Sequence, residues 1–437
     1  MRKLLIVSYV FPPAGGITVQ RALSFAKYLP ALGFEVHVLT ARNPAAPVWD
    51  PALLKHVPPE VRLHRCFTPE LPFRFRKRLW ALLDRGAGPS PPQDPDAPAA
   101  PAGFLQRSIK RLLSPDPQVV WVPFAVRAAA ALIRRHGIDT VLTTAPPFSV
   151  FLIGHALKRR FPYIQLISDF RDEWLRFYLT DFAFLSEEFT RRRAAAIERA
   201  TIELSGLVLA VTRSSLREIR QRYPEQPDDK FAFVANGYDP DVFRNFLPRP
   251  HQGSGMVVTH LGTVYRTASP GYYLDALDTL PEPVRKNIET RFIGRIAETE
   301  AAIFQKRLST VRLLDFLPQS EALRKVEETD YLLLTMTNDF SLPGKLFEYM
   351  ATGKPILALS PPDGEVARLL RETGTGFCVD PTQPEAIRQM LLTAWERWRD
   401  GQSATGIDHE AVRRYERPRL AAQLADLIQR GKPNPPR

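Results

Sequence analysis

The densest chemistry in this 437-residue chain lies in SLPGKLFEYMATGKPILAL, from Ser341 to Leu359. Pro343 fits the first turn of a helix, Gly344 lets the backbone approach a ligand, and Lys345 supplies a cation. Glu348 follows one turn along, Gly353 ends the helix, and Lys354-Pro355 opens a β-rich run. A helix start with free N–H groups accommodates a diphosphate, and a carboxylate such as Glu348 accepts hydrogen bonds from a ribose diol. A buried glutamate satisfying local backbone groups is the simpler alternative. It does not explain why loop, helix and strand carry these features together.

A second cluster, Asp169, Phe170, Arg171, Asp172, Glu173 and Trp174, is expected directly after the strand YIQLIS, at 163–168. That is where an α/β sheet places its site. An internal Asp–Arg ion pair would lock such a loop, and the carboxylate left over could act on a hydroxyl. The third feature is the turn from Phe11 to Gly16, leading into a helix that carries Gln20 and Arg21. Paired glycines permit close backbone approach to phosphate oxygens. The turn is not a GxGxxG fingerprint, which disfavours a dinucleotide-dependent oxidoreductase.

These residues need a scaffold that gathers strand ends. The first forty residues read as KLLIVS, a loop, a helix to Leu32, a cap at Gly33 and EVHVLT. Short β-rich runs recur at 139–144, 163–168, 207–211 and 231–234, then from Met256 onward as MVVTH, TRFIG, VRLLD, YLLLTM, KPILAL and GFCVD. Such alternation implies βαβ units and parallel sheets. The fold class expected is α/β, with two facing Rossmann-like doubly wound domains and a cleft between them. The expected spans are 1–244 for the first domain, 245–255 for a Pro- and Gly-rich hinge, 256–410 for the second domain, and 411–437 for a helix returning to the first.

Composition narrows the class. Hydrophobic residues are 44% and charged residues 24%, as in a soluble globular protein, and the net charge of +12 favours anionic partners. Cys66 and Cys378 are far apart, with no CxxC or metal-ligand spacing, so neither a disulfide framework nor a metal site is expected and a reduced, cytoplasmic setting is. No run of about 18 to 20 apolar residues would span a bilayer. Residues 86–103 are dominated by Pro, Ala and Gly and read as a flexible excursion. Its flanks, 73–85 and 104–113, combine Arg and Lys with Phe, Trp and Leu at helical spacing. They suit an anionic membrane surface, or equally an ordinary solvated helix face. No nucleic-acid-binding motif accompanies them.

YVFPPAGGITVQRALSFAKYLPALGFEVHVLT, DFRDEW, FVANGYD and PGKLFEYMATGKPILAL resemble segments of the family-4 retaining glycosyltransferases of the GT-B fold, in the branch that assembles bacterial surface polysaccharides. By that resemblance Glu348 is the second glutamate of a paired motif and holds the nucleotide ribose. The first would stand eight residues earlier, where this chain has Phe340, with Asp339 one residue out of register. In HLGTVYRTASPG, Arg266 matches a diphosphate-neutralising arginine, and Lys345 or Arg295 supplies the second charge. Gly16, Ser341 and Gly344 complete the donor side, with Gln20, Arg21 and His155 on the acceptor or phosphate side. Asp169, Asp172 and Arg171 are the catalytic candidates, the two carboxylates for orienting or deprotonating an acceptor hydroxyl.

The resemblance implies glycosyl transfer from a nucleoside-diphosphate sugar to a lipid-linked or glycan acceptor, with retention and with no cofactor beyond the substrate, at the inner face of a membrane. Two other classes stay open. Phe340 raises a non-catalytic, glycosyltransferase-like membrane or complex subunit, and a nucleotide-sugar epimerase can share the architecture.

Overall fold

The computed structural model describes residues 1–46, 48–70, 111–178, 188–249, 253, 255–305, 307, 311–402 and 406–431. The excursion at 86–103, the flank at 73–85, residues 104–110 of the other flank and part of the 245–255 hinge lie outside them. The chain divides into two compact units. One comprises Met1–Val211, Ser215–Val234 and Ala421–Arg437, and the other Thr212–Ser214 with Ala235–Leu420.

The first unit holds strands β1 (Arg2–Val7), β2 (Phe34–Ala41), β3 (Arg62–Cys66), β4 (Thr140–Ala145), β5 (Gln165–Phe170), β6 (Leu207–Ala210) and β7 (Phe231–Phe233). They pair in parallel in the order β3-β2-β1-β4-β5-β6-β7. Helices of eight residues or more are α1 (Ile17–Tyr28), α2 (Val122–His136), α3 (Val150–Arg160), α4 (Glu188–Leu204) and α5 (Arg213–Arg222). Helices on both faces of a parallel sheet explain why β4 and β5 are buried along their whole length rather than alternately. Leu5, Val7, Val141 and Leu166 from the sheet pack with Ala129, Ile133, Ile153 and Leu157 from α2 and α3.

The second unit repeats the plan. Strands β8 (Met256–Leu261), β9 (Ile288–Ile293), β10 (Val311–Leu314), β11 (Tyr331–Thr335), β12 (Ile356–Leu359) and β13 (Gly376–Val379) run parallel in the order β10-β9-β8-β11-β12-β13. Its helices are α6 (Gly271–Asp278), α7 (Gln319–Glu327), α8 (Gly344–Thr352), α9 (Glu365–Thr373), α10 (Pro384–Arg399) and α11 (Arg417–Arg430), the last divided between the units. In both sheets the order reverses after the first strand. Each therefore opens a crevice at its C-terminal edge, between β1 and β4 and between β8 and β11.

One strand went unread in the sequence and one expectation changes. β3, RLHRC, has an edge position and mostly exposed or half-buried side chains, so no apolar run announced it. β5 begins at Gln165 and continues through Asp169 and Phe170, so Asp169 belongs to the strand rather than to the loop after it. Its carboxylate is buried at 0% exposure. Arg21 of α1, itself 4% exposed, reaches it with two hydrogen bonds, Nη2 to Oδ1 at 2.7 Å and Nε to Oδ2 at 2.8 Å. The Thr144 hydroxyl donates to Oδ2 at 2.7 Å. Residues separated by 148 positions thus clamp α1 onto the sheet.

Removing one partner of such a pair strands the other charge in a low-dielectric interior, at about 3–5 kcal/mol. Asp169→Ala should lower the urea-denaturation stability by that amount, and pairing Asp169→Leu with Arg21→Met should recover much of it. A fully stable but inactive Asp169→Ala would instead return Asp169 to the chemistry.

Candidate functional site

The first crevice is lined by the segments that leave the C-terminal ends of β1, β4 and β5. Gly15 is a packing residue: a Cβ there would come within 2.9 Å of Val48 and of Asp50. The Gly15 N–H donates to the Val48 carbonyl at 3.0 Å, which fastens the turn to that segment. Gly16, at φ +88°, is the exposed N-cap of α1 and has open space around its Cβ position. Gln20 is half-buried one turn into α1.

The loop after β5 is held from both sides. Arg171 is nearly buried and donates to three backbone carbonyls, those of Ala145 at 3.2 Å, Thr18 and Pro146. It thereby links the ends of β4 and β5 to the start of α1. Glu173 accepts from the Arg176 backbone N–H at 2.5 Å and from Arg222 of α5. Arg222 also reaches Glu198 of α4, Nε to Oε1 at 2.9 Å, and Tyr223 donates to the same oxygen at 3.0 Å. Trp174 stacks on Phe148 with ring centroids 4.3 Å apart.

Between these anchors sits Asp172. It is half-buried and, among the described residues, makes no hydrogen bond or ion pair. Burial raises its carboxyl above the usual range, and Arg171 opposes the shift. Of the three catalytic candidates the structure leaves Asp172 with a carboxylate uncommitted. Asp169 is spent on Arg21 and Thr144, and Arg171 on carbonyls.

His155 does not join them. It lies buried on α3, its Nε2 2.8 Å from the Thr201 hydroxyl on α4, and burial lowers it to about 4. The neutral ring is a helix-to-helix contact, which corrects its place among the acceptor residues. Arg21 likewise serves the ion pair rather than an open phosphate site.

The second crevice gathers most of the donor-side residues. α8 starts at Gly344, with Pro343 as its N-cap rather than inside its first turn. Ser341 donates its backbone N–H to the Asn338 side chain at 2.9 Å, closing the turn before the helix and removing that amide from the free set. Leu346 N–H bonds to the Pro343 carbonyl at 2.9 Å, so the N–H groups of α8 with no acceptor among the described residues are those of Gly344 and Lys345. Gly353, at φ +67°, ends the helix as the sequence indicated, its N–H donating to Met350. The Tyr349 hydroxyl accepts from the Leu261 N–H at 2.7 Å, which bolts α8 to the end of β8.

Lys345 points at the crevice floor, where a Cβ on Gly262 would lie 3.7 Å from its Nζ. Gly262 has φ +116°, and the neighbouring Gly294 would meet the Gly262 carbonyl at 2.5 Å if it carried a Cβ. Both positions require glycine for the loops after β8 and β9 to lie together. Those loops also pair through Val264 N–H to Arg295 carbonyl at 2.9 Å. They carry Arg266 and Arg295, both exposed, the latter over the Phe316 ring at 5.8 Å.

Glu348 sits one turn past the start of α8, half-buried and, among the described residues, without a hydrogen bond. Burial raises its carboxyl, and Arg417 acts against that. The Arg417 backbone N–H is fixed on the Tyr238 carbonyl at 2.8 Å. Phe340 is 9% exposed, an apolar side chain among the buried set, while Asp339 is exposed. Sequence reasoning missed His260 and Arg417. His260 is a buried ring inside an apolar strand, and Arg417 lies 69 positions beyond the carboxylate it acts on, so neither has a local signature.

Residues 86–242 match the model described as Glycosyltransferase Family 4, and residues 255–397 that described as Glycosyl transferases group 1. Among solved structures the chain resembles HepE from Anabaena in complex with UDP, with TM-score 0.62 and 14% identity over 98% of this chain and 100% of that one. HepE is also known with UDP-glucose. WaaG, a glycosyltransferase involved in lipopolysaccharide biosynthesis, gives TM-score 0.61 and 16% identity over 97% and 99%. The α,α-trehalose 6-phosphate synthase from Burkholderia multivorans gives 0.62 and 11% over 98% and 96%. At these identities the likeness is one of fold. No curated protein sequence matches the chain significantly. The two domain matches, one on each side of the chain, and the pair of parallel sheets place the protein among the glycosyltransferases of the GT-B fold.

Proposed function

We propose that the protein moves a sugar from a nucleoside-diphosphate sugar to a hydroxyl of a lipid-linked or glycan acceptor, with retention, in surface-polysaccharide or glycoconjugate assembly. The observation that carries this reading is the start of α8. Two free backbone N–H groups and the Lys345 ammonium meet there at the β8/β11 crevice, with Glu348 one turn behind. Helix dipole and cation together stabilise the charge that develops on a departing diphosphate. Glu348 accepts hydrogen bonds from the ribose. Arg266 and Arg295, on the loops beside the crevice, add positive charge. HepE, of similar fold, is known with UDP and with UDP-glucose, which favours a nucleotide sugar as donor.

On the acceptor side Asp172 takes the role that the sequence divided between two aspartates. Its unpaired carboxylate, lifted by burial, suits orienting an acceptor hydroxyl and receiving its proton. Arg171 and Glu173 hold the loop and are positioning residues. Retention, and a sugar of the hexose type, follow from the resemblance of PGKLFEYMATGKPILAL and its neighbours. Among the described residues no helix is long and apolar enough to cross a membrane. We place the protein peripherally on an anionic bilayer surface through the basic, aromatic flanks at 73–85 and 104–113, of which 111–113 are described and Leu112 is 76% exposed.

The two carboxylates should separate kinetically. Glu348→Ala should weaken binding of the nucleoside diphosphate about tenfold or more, since hydrogen bonds to a charged group contribute about 1.5–3 kcal/mol. Asp172→Asn should leave that binding intact and cut kcat about 100-fold or more. The wild-type rate should also fall as pH drops through the raised Asp172 value. Calorimetry with UDP, ADP, GDP, CDP and dTDP, and transfer assays on acceptor mixtures read by mass spectrometry, measure both. Unchanged binding in Glu348→Ala would remove it from the donor site. Full turnover in Asp172→Asn would favour the non-catalytic reading, or an epimerase if donor alone yields an epimer.

Replacing Arg74, Arg76, Lys77 and Arg78 with Gln should reduce co-sedimentation with phosphatidylglycerol vesicles, and more so at low salt. Unaltered sedimentation would eliminate that surface.

A further inference from the structure

The donor-side lysine has an unusual companion. Lys345 Nζ lies 3.0 Å from Nε2 of His260, a residue of β8 whose ring is completely buried. The other ring nitrogen, Nδ1, is 3.2 Å from the Leu333 carbonyl of β11. A carbonyl only accepts, so Nδ1 carries the proton and Nε2 presents its lone pair to Lys345. The two strands that border the crevice thus fix both the ring's orientation and its tautomer. The ring of Phe292 on β9 packs 5.5 Å from that of His260.

The surroundings of the pair matter as much. From α8 itself come the Tyr349 phenol, already bonded to Leu261, and Glu348 on the next turn. β8 contributes His260, β9 contributes Phe292, and β11 contributes a carbonyl; Arg266 and Arg295 are on the exposed loops beyond. Lys345 therefore has a neutral acceptor as its partner and no carboxylate counter-ion among the described residues. An ammonium in that position loses solvation and gains no opposite charge. Burial lowers it to about 7, and the same burial, with Lys345 beside it, keeps His260 neutral.

We infer that His260 is a positioning residue that holds Lys345 at the crevice as a neutral acceptor, and that binding of a diphosphate there draws one proton from solvent onto the Lys345 Nζ. The inference rests on the proposed nucleotide-sugar reading and deepens it. The anion supplies the counter-charge that the fold withholds, so the bound state favours the ammonium form. Below pH of about 7 the lysine is already protonated and nothing is taken up. Above it, uptake rises toward one proton per site and affinity falls by up to about tenfold per pH unit. Above pH of about 7 the Lys345 side chain is thereby uncharged in the empty site and charged in the filled one.

The experiment is calorimetric titration of the full chain with UDP, ADP, GDP, CDP and dTDP, at about pH 6.5 and about pH 8.5, in buffers of differing ionisation enthalpy. The proton count comes from the buffer dependence. Wild type should show little uptake at the lower pH and between one-half and one proton at the higher, as a rough expectation. Lys345→Arg stays charged throughout, so it should bind without that uptake; ionisation of the nucleotide's own phosphate, with a value near ~6, is common to both proteins and cancels in the comparison. His260→Leu should bind several-fold more weakly with a displaced pH profile, and His260→Gln, which keeps an acceptor, should restore part of both.

Binding without proton uptake, or equal uptake in Lys345→Arg, would overturn the inference and leave the nucleotide-sugar reading standing. Binding of none of the five nucleotides would sink both. If His260→Leu fails to fold, the wild-type and Lys345→Arg comparison decides alone.

Discussion

Reversal of strand order is the constraint on which the chemistry depends. A parallel sheet that grows outward in both directions from its first strand must send consecutive connections to opposite faces, and between them the C-terminal edge stays open. In this chain that happens twice, at β1/β4 and at β8/β11. Helix N-termini and strand ends collect there, so unpaired backbone N–H groups and charged side chains share a small volume without clashing with either face of the sheet. Two interactions keep the openings in shape. The Arg21–Asp169 pair ties α1 to β5, and the Tyr349 hydroxyl ties α8 to β8.

The two crevices resolve their charges in opposite ways. In the first unit the buried charges around the loop after β5 are partnered: Asp169 with Arg21, Glu173 and Glu198 with Arg222, and Arg171 by donating to three carbonyls. Matching buried charges stiffens the loop after β5, and among the described residues Asp172 is the carboxylate there that has no hydrogen bond or ion pair. In the second unit the start of α8 brings its first N–H groups and Lys345 together, and Lys345 has no carboxylate bonded to it among the described residues, Glu348 lying one turn on. That crevice is electrostatically incomplete until an anion enters.

Much of this was legible in the residues. The alternation of apolar runs with helical stretches gave two doubly wound units, and Gly353 after a nine-residue helix, closed by KPILAL, located α8. Local signals carried those readings. What failed was non-local. β5 extends through Asp169 because an arginine 148 positions away neutralises a carboxylate that would otherwise end a buried strand. β3 lacks an apolar run because it is an edge strand. His155 looked available because nothing in its helix announces Thr201 on the neighbouring one. His260 went unnoticed for the complementary reason: a lone histidine in MVVTHL reads as core, and only the β11 carbonyl and the α8 lysine reveal what it holds.

The central claim is that the start of α8 receives the donor's diphosphate. A crystal structure of the chain with a bound nucleoside diphosphate tests it most directly. Phosphate oxygens should lie within about 2.7–3.2 Å of the Gly344 and Lys345 backbone nitrogens and of Lys345 Nζ, with the ribose hydroxyls on Glu348. A diphosphate seated elsewhere, with the first turn of α8 untouched, would contradict the account.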